Sequence, residues 1–173
     1  MKRVFISATY EDQIDLIEEI KSKLAELGVE TIHFKNYGFY NGRSEIHAHD
    51  ICIEKVESTS NYLLIVNYRA GMDYTGNNPA YRDLSLTHAE FQSAHGAINE
   101  NRKMYCFVRK KVMDFYNIWK DLPEKNSSSS CLPVEHKAFQ LIDDMQSKGV
   151  WIESFNHSLE LKDILTAKEF IDD

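Results

Sequence analysis

Glu90 is the residue whose type and placement could do chemistry. It lies in the stretch 85–108, SLTHAEFQSAHGAINENRKMYCFV, which reads as a helix feeding a strand. With Phe91 at the centre of a helical wheel, Thr87, Ala94 and Ile98 join it as the buried face. Glu90 falls roughly 100° from Phe91, beside Leu86 and Ala97, on a half-shielded flank. A carboxylate there is either a solvated edge position or a group set in a pocket. In a pocket its pKa would rise, or it would stay ionised against a cationic ligand.

Other candidates are placed by their position after strands. Ser7, Ala8 and Thr9 follow an apolar run and precede a helix, where free backbone N–H groups could hold a phosphate. Neither GxGxxG nor GxxxxGK[ST] occurs, and Thr9 serving only as an N-cap explains the pattern as well. In YGFYNGR, Tyr37, Phe39 and Tyr40 could stack on a base and Arg43 could pair with phosphate, in a lid flanked by glycines. A plain surface loop fits this stretch equally. Tyr68 and Arg69 end the third strand, where the arginine is either a phosphate clamp or a structural ion pair. Arg82 and Asp83 precede the Glu90 helix. His47, His49 and Asp50 do not share a helix face, and His88 and His95 lack a third partner, so catalytic zinc is not expected. There is no GxSxG elbow, and Cys106 reads as core.

The elements that must position these residues follow from periodicity. An apolar run at 3–8 reads as a buried strand. Thr9 and Asp12 then form a T-x-x-D variant of the capping box. Ile14, Ile17, Ile20, Leu24 and Leu27 follow at helical spacing, closed by Gly28. Strands are expected at 29–34, 61–68, 104–108 and 150–155, and helices at about 46–57, 135–148 and 158–170. The Ser-rich stretch 121–134 carries two of the three prolines and reads as a surface loop within a single domain spanning 1–173. Strand and helix alternate about five times, which predicts a parallel sheet with helices on both faces. Ligands then bind outside the carboxyl ends of the strands.

Composition bounds the function. A formal net charge of −7 argues against a nucleic-acid surface, which needs a phosphate-neutralising basic patch. Three cysteines at wide spacings, Cys52, Cys106 and Cys131, fit neither a disulfide framework nor a metal knuckle and point to a reducing cytoplasmic setting. No signal peptide or membrane-spanning run is evident.

The stretch RVFISATYED resembles the first box of TIR domains. TSNYLLIVNYRAG, SLTHAEFQSA and VWIESFNHSLELKDIL resemble the middle strand, the following helix and the last strand and helix of a TIR-like group of unassigned function, DUF4062. The resemblance implies a three-layer, flavodoxin-like α/β fold with a five-stranded, mainly parallel sheet. It also implies that Glu90 stands where TIR enzymes that cleave NAD carry their catalytic glutamate. Ser85 lies upstream, and Leu86 stands where several of those enzymes have Trp. NAD, or a related nucleotide, would be the substrate and no cofactor would be needed. The product would be ADP-ribose or a cyclic isomer, in bacterial antiphage signalling and in a homo-oligomer or with a partner defence protein. Two alternatives stay open: a non-catalytic self-association module, and a nucleoside deoxyribosyltransferase-like enzyme, whose layout is similar.

Overall fold

The computed structural model describes residues 2–9, 12–36, 39, 45–98, 102–123 and 132–167. The chain runs β1 (Arg3–Ala8), α1 (Ile14–Glu26), β2 (Glu30–Ile32), α2 (Ala48–Glu57) and β3 (Asn61–Val66). A 3-10 turn (Pro79–Tyr81) leads into α3 (Leu86–Gly96), β4 (Lys103–Arg109), α4 (Lys110–Lys120), α5 (His136–Ser147), β5 (Ile152–Phe155) and α6 (Ser158–Ala167). All five strands are parallel, in the order β2-β1-β3-β4-β5. This is the expected flavodoxin-like arrangement.

Alternation along the central strands sends side chains to two cores. Phe5, Tyr62, Leu64, Val66, Cys106 and Val108 face α2, α3, α4 and α5. Val4, Ile6, Ala8, Leu63, Ile65 and Phe107 face α1, through Ile17, Ile20 and Leu24, and α6, through Leu161 and Leu165. The strands are buried on both faces, which is why they read as near-continuous apolar runs. The sheet order reverses between β1 and β3, so the crevice at their carboxyl ends is the topological switch point.

Several expectations are corrected. Thr9 does not cap α1: the N-cap position is Gln13, without a side-chain cap bond. The Thr9 hydroxyl instead donates to the Asp12 carboxylate at 2.6 Å. The second strand is only three residues long, because it is an edge strand paired to β1 alone through Arg3↔Glu30, Val4↔Thr31 and Phe5↔Ile32. Helix α4 was not anticipated. It follows β4 without an intervening turn, and its buried residues Val112, Tyr116 and Trp119 carry the helical spacing that could have marked it. Of the Ser-rich stretch, residues 124–131 lie outside the described residues. No described helix is long and apolar enough to cross a membrane.

The long connection from β3 to α3 is fastened rather than loose. The Asp50 carboxylate, in the first turn of α2, accepts from the Tyr74 hydroxyl, from Asn77 Nδ2 at 2.7 Å and from Asn77 N at 3.1 Å. Burial raises the Asp50 pKa, but these donors outweigh it and hold the carboxyl below its usual range. His49 Nδ1 accepts from Thr75 N at 3.0 Å, so the histidines of this turn bind loop atoms. No group of three metal-ligating side chains occurs among the described residues. At the other end Glu135 accepts from Ala70 N at 2.9 Å and Lys137 reaches Asp73 at 2.6 Å. Asp50→Ala should release the Asn77 side of the loop. The expected result is faster amide exchange at Asn77 with β3 still protected, read by hydrogen exchange.

Candidate active site

Glu90 is 5% exposed, not half-shielded. The wheel assumed one buried face, but α3 is enclosed on several sides. It packs on β1 and α2, its His88 reaches Asp144 of α5 at 3.0 Å, and the fastened loop leads into its first turn. Seven of its residues are therefore buried, from Thr87 to Ala94, whereas Ile98, expected in the core, is exposed.

In this enclosure the Ser7 hydroxyl donates to Glu90 Oε2 at 2.5 Å. Burial pushes the Glu90 pKa up to about 8, and the Ser7 bond offsets only part of that. Ser7 shares its sheet face with Phe5, next to Tyr62 of β3. The Tyr62 ring is fully buried and stacked with Phe5 at 6.2 Å. Its hydroxyl is pushed well up by burial and by the Glu90 carboxylate beside it. Reading the sequence did not single out Tyr62, because a tyrosine in a strand reads as core. The result is a carboxyl group in low-dielectric surroundings, aligned by a serine, on the helix after the third strand. Such a group is held ready to ionise against positive charge.

The other sequence candidates divide. Ser85 is fully buried and caps α3, accepting from His88 N at 3.2 Å. Leu86 is half-buried and packs on the core beside Ala89 and Tyr74. Ala8 points into the opposite core. Phe39 is buried on Phe5, with ring centroids 6.5 Å apart, so it is fixed in the interior. Tyr68 is half-buried, and its carbonyl accepts from Glu135 N at 2.9 Å. Arg69 is exposed. Tyr37 and Arg43 lie outside the described residues. The groove between α1 and α6, lined by Asp15, Glu18, Glu19 and Lys162 among others, lies on the far side of the sheet from Glu90.

Gly71 sits between the end of β1 and the first turn of α3. It has φ +84, and a Cβ there would stand 3.1 Å from Thr87 Oγ1 and 3.2 Å from Thr9 Cγ2. Gly71→Ala should therefore cost about 1–2 kcal/mol for the left-handed backbone alone, and more from crowding. Urea unfolding checks this.

Comparison with solved structures gives the same fold in a CMP N-glycosidase of Clostridium botulinum, BcmB. The TM-score is 0.51 at 15% identity, over 96% of this chain and 98% of that one. A search of curated proteins gives no match. The family model described as "Domain of unknown function (DUF4062)" matches residues 3–168. With that match running from the first strand to the last helix, the chain belongs to the DUF4062 family.

Proposed function

We propose that this chain, acting as a single domain, cleaves the N-glycosidic bond of a nucleotide, with Glu90 as the catalytic carboxylate and NAD as the nucleotide. The observation that carries the reading is the buried Ser7–Glu90 pair on α3 beside the switch point. A fold shared with an enzyme named as a CMP N-glycosidase supports the same bond type.

The chemistry follows from the environment. Breaking the bond between base and ribose builds oxocarbenium character at the anomeric carbon. Burial disfavours the Glu90 carboxylate when the site is empty, and a cation placed against it removes that penalty. The interaction therefore strengthens as positive charge develops, which is the requirement for lowering a barrier. Ser7 holds Oε2 and leaves Oε1 to face the sugar. NAD suits this site because its nicotinamide ring carries a fixed positive charge and leaves as a neutral base. Water attack then gives ADP-ribose and a proton, and attack by the adenine of the same molecule gives a cyclic isomer. No cofactor is required.

The TIR resemblance extends the proposal to setting: antiphage signalling, with a neighbouring copy completing the site. Specific activity should then rise with protein concentration, and a flat profile down to the monomer would remove the assembly requirement. The test of the function itself is base release from NAD and from CMP at high protein concentration, with products separated by chromatography. Nicotinamide release supports the reading, and cytosine release alone would move the substrate to a nucleoside monophosphate. Release of neither base would overturn the reading in favour of a self-association module.

A further inference from the structure

Among the described residues, three buried amide or carboxyl oxygens beside the switch point have no hydrogen-bond partner, Asp12 Oδ2, Gln13 Oε1 and Asn67 Oδ1, in addition to the Tyr62 hydroxyl near Glu90. Gln13 is 3% and Asn67 4% exposed. Buried acceptors are normally matched, so three in one place call for an explanation.

Their orientation is fixed by the donors behind them. The Thr9 hydroxyl donates its single proton to Asp12 Oδ1 at 2.6 Å. It must therefore accept from Gln13, whose Nε2 lies 2.9 Å away and 3.5 Å from the Ile65 carbonyl. Asn67 Nδ2 lies 3.5 Å from the Asp12 carbonyl. Turning over either amide would set oxygen against oxygen. These three atoms are thus all acceptors, and one belongs to a carboxyl group. They select a ligand group that donates several hydrogen bonds.

The cluster adjoins the Glu90 site. Thr9, which anchors Asp12 and Gln13, is two residues beyond Ser7 on the same strand end. Thr9 and Thr87 both border the missing Cβ of Gly71, and Thr87 lies about one turn before Glu90 on α3. A sugar with its anomeric carbon at Glu90 would direct its ring hydroxyls along this wall.

We propose that Asp12, Gln13 and Asn67 form a subsite that accepts hydrogen bonds from the vicinal hydroxyls of a ribose. The proposal rests on the glycosidase reading for the placement of the sugar. A ribose diol presents two hydroxyl donors side by side and stays with the enzyme when the base departs. The subsite therefore sets a preference for ribonucleotides over deoxyribonucleotides.

The test is equilibrium binding of D-ribose 5-phosphate and 2-deoxy-D-ribose 5-phosphate by calorimetry. Neither is turned over, so binding is read independently of catalysis. The wild type should prefer the ribose form about tenfold or more, because a buried acceptor loses its donor in the deoxy form. Asp12→Asn keeps the oxygen that Thr9 holds and turns the other into a donor. It should bring the two affinities to within about twofold. Gln13→Leu removes its acceptor without setting a second oxygen against Thr9 and serves as the second variant, narrowing the preference, with unliganded melting run on both to confirm folding. Equal affinities in the wild type, no binding of either sugar phosphate, or an unchanged preference in folded Asp12→Asn would each overturn the proposal. Calcium chloride is titrated in parallel. Calcium binding that Asp12→Asn removes would make the cluster a cation site and overturn it too. Failure of the glycosidase reading would appear separately, as absent base release despite intact ribose binding.

Discussion

Glu90→Gln is expected to reduce base release from NAD by about a thousandfold or more while leaving the protein folded. A loss of that size corresponds to about 4 kcal/mol of transition-state stabilisation. It is the scale found when one preorganised electrostatic partner is removed from a water-excluded site. Gln fills the same volume and can still bond Ser7, but it cannot carry the charge that opposes an oxocarbenium ion. Ser7→Ala should cost less, about tenfold, because it frees the carboxylate without removing it. The check is single-turnover nicotinamide release for the wild type and both variants, with circular dichroism to establish folding. A Glu90→Gln protein that releases nicotinamide at the wild-type rate would remove Glu90 from the chemistry.

The same substitution should change stability in the opposite sense. Burial moves the Glu90 pKa from its ordinary value of 4.5 to about 8. Between those values the folded chain holds a proton that the unfolded chain has released. Unfolding therefore becomes easier as pH rises. The penalty is absent below about pH 4.5, grows through neutrality and levels off above about pH 8. At about 1.4 kcal/mol per pH unit it totals on the order of 5 kcal/mol. Buried histidines slope the other way. Burial pushes His33 down to about 4 and lowers His88 despite its Asp144 partner, so both favour the folded state as pH rises through the ordinary histidine range. Subtracting Glu90→Gln from wild type cancels these contributions. Urea unfolding at intervals from pH 4.5 to pH 8.5 should show the variant gaining on the wild type up to about pH 8 and holding that lead above it. A constant difference would mean that Glu90 is ionised in the folded protein at all these values.

Sequence periodicity made most of the fold legible because the central strands are apolar on both faces and the helices between them show one apolar stripe. The order of strands and helices follows from that, as does the placement of candidates at strand ends. It fails where an element has more than one partner. The burial of Glu90 was hidden because a wheel assigns one inward face, and α3 meets β1, α2 and α5. The Thr9 reading failed for a related reason: its hydroxyl finds the Asp12 side chain instead of a helix N–H. Helix α4 was missed because Arg109 passes from strand to helix without punctuation. The pairing of Ser7 with Glu90, and the acceptor cluster around Thr9, depend on how β1 and β3 are brought together. No local pattern encodes that.

The insertion of β1 between β2 and β3 has a consequence for how the molecule is made. Ser7 and its β3 partner Leu64 are 57 positions apart. At ribosomal elongation rates that interval lasts on the order of ten seconds. During it the nascent β1 can pair with β2, but its other edge has no β3 to receive it. Phe5 and Ile6 stay open to the chaperones and to neighbouring chains on the same message. A strand interior to the finished sheet is thus open along one edge through the first part of synthesis, and slow elongation before β3 should raise aggregation more than an equal pause after β4.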